Sequence, residues 1–209
     1  MEISAGLVKD LREKTGAGMM DCKKALSETS GDLEKATEYL RKKGIASAAK
    51  KSGRATKEGA VTSYIHGEGK VGVLLEVNCE TDFVARTEQF RALVKDVAMH
   101  IAAASPQWVR PEEVPADVIA KEKEIAVAQM QASGKPAAVL EKIAEGKIKK
   151  FYEDNCLLNQ AFVKDPNKTI EQLLKETIGA LGENMGIRRF ARFTLGEGLG
   201  QGMKEEAQG

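Results

Sequence analysis

Apolar residues recur at helical spacing through the first part of the chain, in three short blocks separated by glycines. The first block covers residues 4–15, the second begins at Met19, and the third follows Gly31. The first block places its apolar side chains on a single stripe, formed by Leu7, Val8 and Leu11. This spacing is typical of amphipathic helices. The pattern therefore predicts a bundle of three short helices over residues 1–45.

Beyond residue 59 the apolar period changes from helical to alternating. Val61, Ser63 and Ile65 share one face of a first strand, and Gly67 to Lys70 form a turn. The second strand alternates through Val71, Val73, Leu75 and Val77. Two alternating runs around a short glycine-containing turn predict an antiparallel hairpin. A later alternating segment, Ile187 to Leu195, is expected to join it as a third strand.

In the rest of the chain, apolar residues again recur at helical spacing. One helix is expected to run to about Ala104, and Thr169 to Gln172 fit a capping box that opens another. Residues 117–133 and 137–151 carry two narrow apolar stripes, joined by Ser133-Gly134-Lys135-Pro136. They predict a projecting helical hairpin at about 117–151, packed mainly against itself. Whether this hairpin contacts a partner helix, or its charges only solvate its outer faces, stays open.

These elements place the chain in the α+β class: a three-helix bundle, then an antiparallel three-stranded sheet packed with helices. We divide it into residues 1–45, a basic linker at 46–58, a core at 59–195 and a flexible tail at 196–209. The linker is predicted because residues 41–57 carry seven Lys or Arg and no acidic residue, with Ala, Ser and Gly between them. The tail is rich in glycine and charge.

Composition narrows the possible functions. The 209 residues carry a net charge of +1, and a protein that coats nucleic acid is normally more basic. The three cysteines are far apart and form no CxxC pair, which argues against a disulfide framework and a zinc ribbon. Free thiols favour a reducing compartment, so we expect a cytoplasmic protein. No apolar run approaches the roughly 18 residues that span a membrane.

Candidate chemistry is scarce. The two histidines, His66 and His100, have no neighbours at metal-ligand spacing, and a lone histidine is more often structural. The sequence has no phosphate-binding loop of the GxxxxGK[ST] type, so we expect no direct nucleotide binding. We therefore predict no catalytic residue, no metal site and no cofactor. An enzyme whose catalytic groups are some of the many carboxylates stays a hypothesis, ranked third after the two binding functions described below.

The segment from Asn78 to Val84 stands out, because it lies where the second strand ends and a helix begins. Thr81 can cap that helix, and Asp82 suits its positive end. Phe83 is either a contact residue for a partner or a core residue. Periodicity alone favours the core, since a continuous helix would bring Phe83 into phase with Phe90. If the helix instead restarts near Thr87, Phe83 is free to contact a partner.

Two other features have a structural and a functional interpretation. Met19 and Met20 are consecutive, so one of them can be exposed as an adaptable contact residue, although filling a core is the commoner use. The basic residues of 41–57 could bind RNA phosphates. A solvated linker is favoured, because no aromatic residues interleave there for base stacking. An RNA-binding accessory protein is therefore the second hypothesis, and RNA is not the expected partner.

Two long motifs resemble the elongation factor Ts family. They are the run from Leu7 to Leu26, LVKDLREKTGAGMMDCKKAL, and the run from Glu76 to Ala85, EVNCETDFVA. Shorter matches are SGKP at 133–136, QAFV at 160–163 and RFARF at 189–193. The resemblance covers about residues 1–198, and two long motifs in the same order are far more specific than a single short pattern.

The resemblance implies a fold and an activity. Residues 1–45 would form a bundle like the ubiquitin-associated (UBA) domain. The chain would be an exchange factor that binds elongation factor Tu with GDP, dislodges its Mg²⁺ and promotes GDP release so that GTP rebinds. The family's Thr-Asp-Phe-Val segment, which acts on that Mg²⁺, corresponds to Thr81, Asp82, Phe83 and Val84. Contacts of the N-terminal module correspond to Lys9, Arg12, Met19 and Met20.

The chain looks short for this family. It has room for one core subdomain where longer members have two, so a homodimer that completes the binding surface is expected as a possible assembly. The C-terminal contact module of longer members has no counterpart here, and its contacts are not carried over.

Overall fold

A computed structural model of the chain describes residues 3–131 and 137–198. The helices in this part are α1 (Ala5–Thr15), α2 (Met19–Glu28), α3 (Leu33–Lys51), α4 (Asp82–Ala85), α5 (Glu88–Ala104), α6 (Ala116–Gln131), α7 (Ala137–Asn155) and α8 (Ile170–Leu181). The strands are β1 (Glu58–His66), β2 (Val71–Cys79), β3 (Ala161–Phe162), β4 (Asp165–Thr169) and β5 (Met185–Thr194). This mixture of helices with small antiparallel sheets confirms the α+β class.

The chain divides into two compact units. The first comprises the described residues up to Met99 and those from Glu171 onward, and the second is His100–Ile170. No helix in the described part of the chain is both long and apolar enough to cross a bilayer.

The first three helices pack against one another as the predicted bundle. Their shared core consists of Val8, Leu11, Cys22, Ala25, Leu26, Ala36 and Leu40. Ser4 caps α1 through its hydroxyl, which accepts from the Leu7 N–H at 3.3 Å. Gly16 ends α1 with φ 66°, a left-handed conformation that suits glycine. Asp32 caps α3 by accepting the N–H groups of Glu34 and Lys35, both at 3.0 Å.

Helix α3 does not give way to a linker at residue 46. It continues to Lys51, and Gly44 and Ala48 in its second half are buried. Gly44 meets Gly179 of α8 so closely that a Cβ on Gly179 would lie 2.5 Å from the Gly44 Cα. The predicted linker is therefore wrong for residues 46–51, because alanine favours helix and this half of the helix packs against α8.

Strands β1, β2 and β5 form one antiparallel sheet in that order, which confirms the third strand. Cys79 at the end of β2 pairs with Met185 at the start of β5. One face of β2 is buried through Val73, Leu75, Val77 and Cys79. The opposite face of the sheet exposes large apolar side chains, namely Val61, Ile65, Leu74 and Phe193.

In the second unit, α6 and α7 pack against each other, as the predicted hairpin requires. Ala126, Ala144 and Ile148 are buried on these helices. The predicted turn at residues 133–136 lies outside the described residues, as does the predicted tail from residue 199 onward. The apolar pattern of the sequence did not predict the two-stranded sheet of β3 and β4.

His100 is fully buried in this second unit. Its Nδ1 accepts the Val163 N–H at 3.3 Å, so its Nε2 carries the proton and donates to Gln160 Oε1 at 2.9 Å. The Gln160 amide in turn donates to the Asp154 carbonyl at 2.8 Å. Burial lowers the pKa of His100, so the ring is held neutral. A structural role for His100 and part of the QAFV motif follows from this network.

Candidate protein-binding site

Helix α4 is a single turn between β2 and α5, and it presents Phe83 to solvent. The Phe83 side chain is 78% exposed. A new helix starts after α4, because the Thr87 hydroxyl accepts the Phe90 N–H at 3.2 Å and caps α5. This break removes Phe83 from the phase of Phe90. The core position that periodicity favours for Phe83 is therefore wrong, and the alternative of a restart near Thr87 is confirmed.

The neighbours of Phe83 hold the turn against the sheet. Val84 is buried, and α4 lies against β1 and β2. Thr81 caps α4, since its hydroxyl accepts the Val84 N–H at 3.4 Å. Asp82 forms an ion pair with Arg86 at 2.8 Å across the turn. The four predicted residues thus share one turn, in which Val84 anchors the helix while Phe83 faces solvent.

Glu183 binds Thr81 through both carboxylate oxygens. Oε2 accepts the Thr81 N–H at 3.0 Å, and Oε1 accepts the Thr81 hydroxyl at 2.7 Å. On the other side, the Cys79 thiol donates to the Thr81 carbonyl at 3.1 Å. Burial raises the pKa of the Cys79 thiol, which keeps this donor protonated. Thr81 is therefore fixed at its amide, hydroxyl and carbonyl groups.

Asn184 connects the same turn to the end of α3. Its N–H donates to Glu80 Oε1 at 2.6 Å, and its side-chain amide donates to the Arg54 carbonyl at 2.8 Å. Arg54 also forms an ion pair with Glu80 at 3.4 Å. These contacts therefore join three segments that are distant in sequence, through Arg54, Glu80 and Asn184.

The predicted N-terminal contact residues are exposed. Met19 and Met20, in the first turn of α2, are 59% and 75% exposed, so neither fills the bundle core. Lys9 and Arg12 are also exposed, and Lys9 pairs with Glu13 at 3.7 Å.

The loop before α2 lies close to the first turn of α5. A Cβ built on Gly16 would clash with the side-chain amide of Gln89, so the two residues lie side by side. Met19 follows Gly16 by three residues, and Gln89 follows Phe83 by six. The contact therefore links the segment that carries Met19 and Met20 to the segment that carries Phe83.

Four of the seven basic residues of 41–57 have acidic partners in the structure. The ion pairs are Arg41 with Glu176 at 2.8 Å, Lys42 with Glu38 at 2.7 Å, Lys43 with Asp21 at 2.5 Å, and Arg54 with Glu80 at 3.4 Å. The hydrogen bond to Asp21 raises the pKa of Lys43. Cations that already face carboxylates are less available to phosphates.

Sequence reasoning missed Glu183 and Asn184, although a signal for them existed. Once Ile187 to Leu195 is predicted to pair antiparallel with the second strand, the residues before it must lie beside those that follow Cys79. Met185 does pair with Cys79, which brings Asn184 next to Glu80. Polar residues at 183 and 184 could therefore have been placed against the Thr81 segment.

Fold and site together define an α+β protein with an exposed aromatic side chain on a firmly held helical turn. Residues 3–131 and 137–198 contain no cluster of three or more His, Cys, Asp or Glu side chains suited to a metal ion. The candidate functional feature of these residues is the exposed Phe83 side chain on α4.

Comparison with known proteins identifies the family. The family model "Elongation factor TS" matches residues 33–197. Elongation factor Ts of Geobacter sulfurreducens is 65% identical over 95% of this chain and 92% of its own length. The protein of the same name from Anaeromyxobacter sp. strain K is 68% identical over 95% of this chain and 90% of its own length. The chain belongs to the elongation factor Ts family.

Proposed function

We propose that this chain is a guanine nucleotide exchange factor for elongation factor Tu in translation elongation, and that it acts in the cytoplasm. The observation that carries the proposal is the exposed Phe83 on α4, within the segment that matches the family's Thr-Asp-Phe-Val motif. Family membership supplies the partner. The chain forms and breaks no covalent bond, and works by binding the nucleotide-free GTPase better than its GDP complex.

The physical basis is reciprocal coupling. If this chain weakens GDP binding by some factor, GDP weakens the binding of this chain by the same factor. Burying a phenylalanine side chain contributes about 1.5–3 kcal/mol, which is roughly 10- to 150-fold in an equilibrium constant. Phe83 would enter a pocket of the GTPase and Asp82 would set its approach. The small displacement of the GTPase helices around this pocket would disturb the Mg²⁺ and phosphate contacts of the GTPase. GDP would then leave and GTP would rebind.

The N-terminal bundle provides the second contact in this proposal. We infer that residues 1–45 form a UBA-like module that docks on the GTPase domain of the partner through Lys9, Arg12, Met19 and Met20. Their exposure supports this role. The contact between Gly16 and Gln89 supports joint action with α4, because it keeps the exposed methionines and Phe83 in one compact unit.

The release rate of fluorescent GDP from elongation factor Tu tests the proposal. Native protein should accelerate release, and Phe83→Ala should lose most of the acceleration while keeping its circular dichroism spectrum. Val163→Ala is the matched control, because Val163 is also exposed (44%) but lies in the second unit. If native protein accelerates release and Phe83→Ala is equal to it, the role of Phe83 is refuted. If native protein has no effect, the exchange function is refuted and salt-dependent RNA binding by residues 41–57 is tested next.

We also propose that a second copy of this chain covers the exposed face of the three-stranded sheet. Ile65 and Phe193 lie on either side of Gly72 in one cross-strand row, and Leu74 belongs to the next row. Glu76 and Arg189 form an ion pair at 2.7 Å on the same face. A two-fold axis brings such a face onto itself, so apolar side chains meet apolar ones and each carboxylate can face a guanidinium.

Sedimentation analysis tests the dimer. Native protein should sediment as a dimer, Phe193→Asp as a monomer, and Val163→Asp as a dimer. A monomeric native protein, or a Phe193→Asp variant that dimerises as well as native, contradicts this use of the sheet.

A further inference from the structure

The turn between α8 and β5 forms hydrogen bonds with residues 81–84, which we call the exchange segment. Gly182 ends α8 with φ 79°, and its N–H donates to the Ile178 carbonyl at 3.0 Å. Glu183 follows at once and accepts both the N–H and the hydroxyl of Thr81. The left-handed glycine thus turns the chain so that Glu183 meets the first residue of the segment.

Helix α4 needs such outside support. A helix of four residues has too few internal hydrogen bonds to offset the cost of helix nucleation. In a capping box, an acidic side chain at the third helical position bonds back to the N–H of the capping residue. In α4 the third position is Val84, which is apolar and buried. Glu183 supplies the missing acceptor from another part of the chain.

We propose that Glu183 is a positioning residue for nucleotide exchange: it completes the cap of α4 and thereby holds Phe83 in its binding conformation. Asn184 assists by bonding to Glu80, the residue before Thr81. This inference rests on the proposed exchange function. Glu183 itself does not contact the GTPase, and it acts by raising the fraction of molecules whose exchange segment is already ordered.

A positioning role has a kinetic signature that differs from that of a contact residue. When only a fraction of molecules is competent to bind, the apparent affinity equals the intrinsic affinity multiplied by that fraction. The bound complex itself is unchanged. Loss of two hydrogen bonds to a carboxylate should lower the ordered fraction by at least about tenfold. Glu183→Ala should therefore raise the concentration that gives half-maximal GDP release by at least about tenfold, and leave the maximal rate within about twofold. Phe83→Ala should instead lower the maximal rate.

The experiment combines GDP-release titrations with amide hydrogen exchange on the full-length chain. Glu183→Ala is compared with native protein and with Glu171→Ala, which removes an exposed carboxylate from α8 that pairs with Lys175. Only Glu183→Ala should raise the half-maximal concentration and speed amide exchange at Thr81 and Val84. Glu183→Gln keeps the side-chain shape and one acceptor oxygen, so it should show a smaller effect in the same direction and serves if the alanine variant does not fold.

Each other outcome decides against part of the scheme. If Glu183→Ala matches native protein in both measurements, the positioning role is overturned. If it lowers the maximal rate without changing the half-maximal concentration, Glu183 acts in the bound complex and the positioning role is again overturned. If native protein does not accelerate release at all, the exchange function fails, and amide exchange at Thr81 alone decides whether Glu183 holds the turn.

Discussion

The contact between Gly44 and Gly179 predicts an asymmetric response to alanine. A Cβ on Gly179 would lie 2.5 Å from Gly44 Cα, about 0.9 Å short of the 3.4 Å at which ordinary van der Waals contact begins. A Cβ on Gly44 would instead have its nearest neighbour, Gly179 Cα, at 3.7 Å. The same substitution should therefore force α3 and α8 apart at one position and fit at the other.

The expected magnitudes follow from packing and helix propensity. Overpacking a close contact costs about 1–3 kcal/mol, and backbone atoms cannot rotate away as a flexible side chain can. Replacing a helical glycine by alanine returns up to about 1 kcal/mol. Gly179→Ala should thus lower the free energy of unfolding by about 1–2 kcal/mol, which corresponds to a fall in Tm of roughly 2–8 °C for a chain of this size. Gly44→Ala should be neutral or stabilising by up to about 1 kcal/mol.

Urea unfolding followed by circular dichroism measures both variants. Gly146→Ala serves as a propensity control, because Gly146 lies in α7 and a Cβ there would meet nothing within 4 Å. It should stabilise the chain to a similar extent as Gly44→Ala. The reasoning is refuted if Gly179→Ala is as stable as native protein, or if Gly44→Ala destabilises as much as Gly179→Ala.

Three further predictions use groups outside this contact. Leu26→Ala should cost about 2–5 kcal/mol in urea unfolding because Leu26 is fully buried, whereas Met20→Ala should leave the unfolding curve unchanged. Burial lowers the pKa of His100 and holds the ring neutral. Its contribution to the free energy of unfolding is therefore present above about pH 6.5 and is lost as pH falls toward the lowered pKa. A His100→Asn variant should lack this part of the pH dependence of urea unfolding. Burial raises the pKa of the Cys156 thiol to about 11, so Cys156 should react with a thiol reagent at pH 8 only after unfolding; fast labelling of the folded chain would contradict this.

Much of the fold could be predicted from local patterns. The three-helix bundle and the strand order follow from periods of 3.6 and 2 and from residues such as Gly16 that end an element. The prediction was wrong where a helical period was extended beyond the residue at which the helix begins. Extending the α5 period back to Phe83 ignored Thr87, a second capping residue that starts a new helix. The β3 and β4 strands are too short to show a period of their own.

The charged run was misread for a different reason. Composition shows a block of cations, but their partners Glu80 and Glu176 lie far along the chain. The exchange segment was placed by resemblance, and the roles of its four residues stay predictions. Its support could not be found locally, because Glu183 lies 102 positions from Thr81. Only the strand register, which brings Met185 beside Cys79, joins them.

Helix α3 has a consequence for how the chain unfolds. Its first half supplies Ala36 and Leu40 to the core of the N-terminal bundle, while Gly44 in its second half packs on α8. One uninterrupted helix therefore contributes residues to two cores. Unfolding of either core removes packing contacts from the other. We expect the bundle to lose its structure together with the sheet in one cooperative transition, with no stage at which residues 1–45 open alone. A protease that attacks the first three helices should then cut only molecules that have already unfolded through α8.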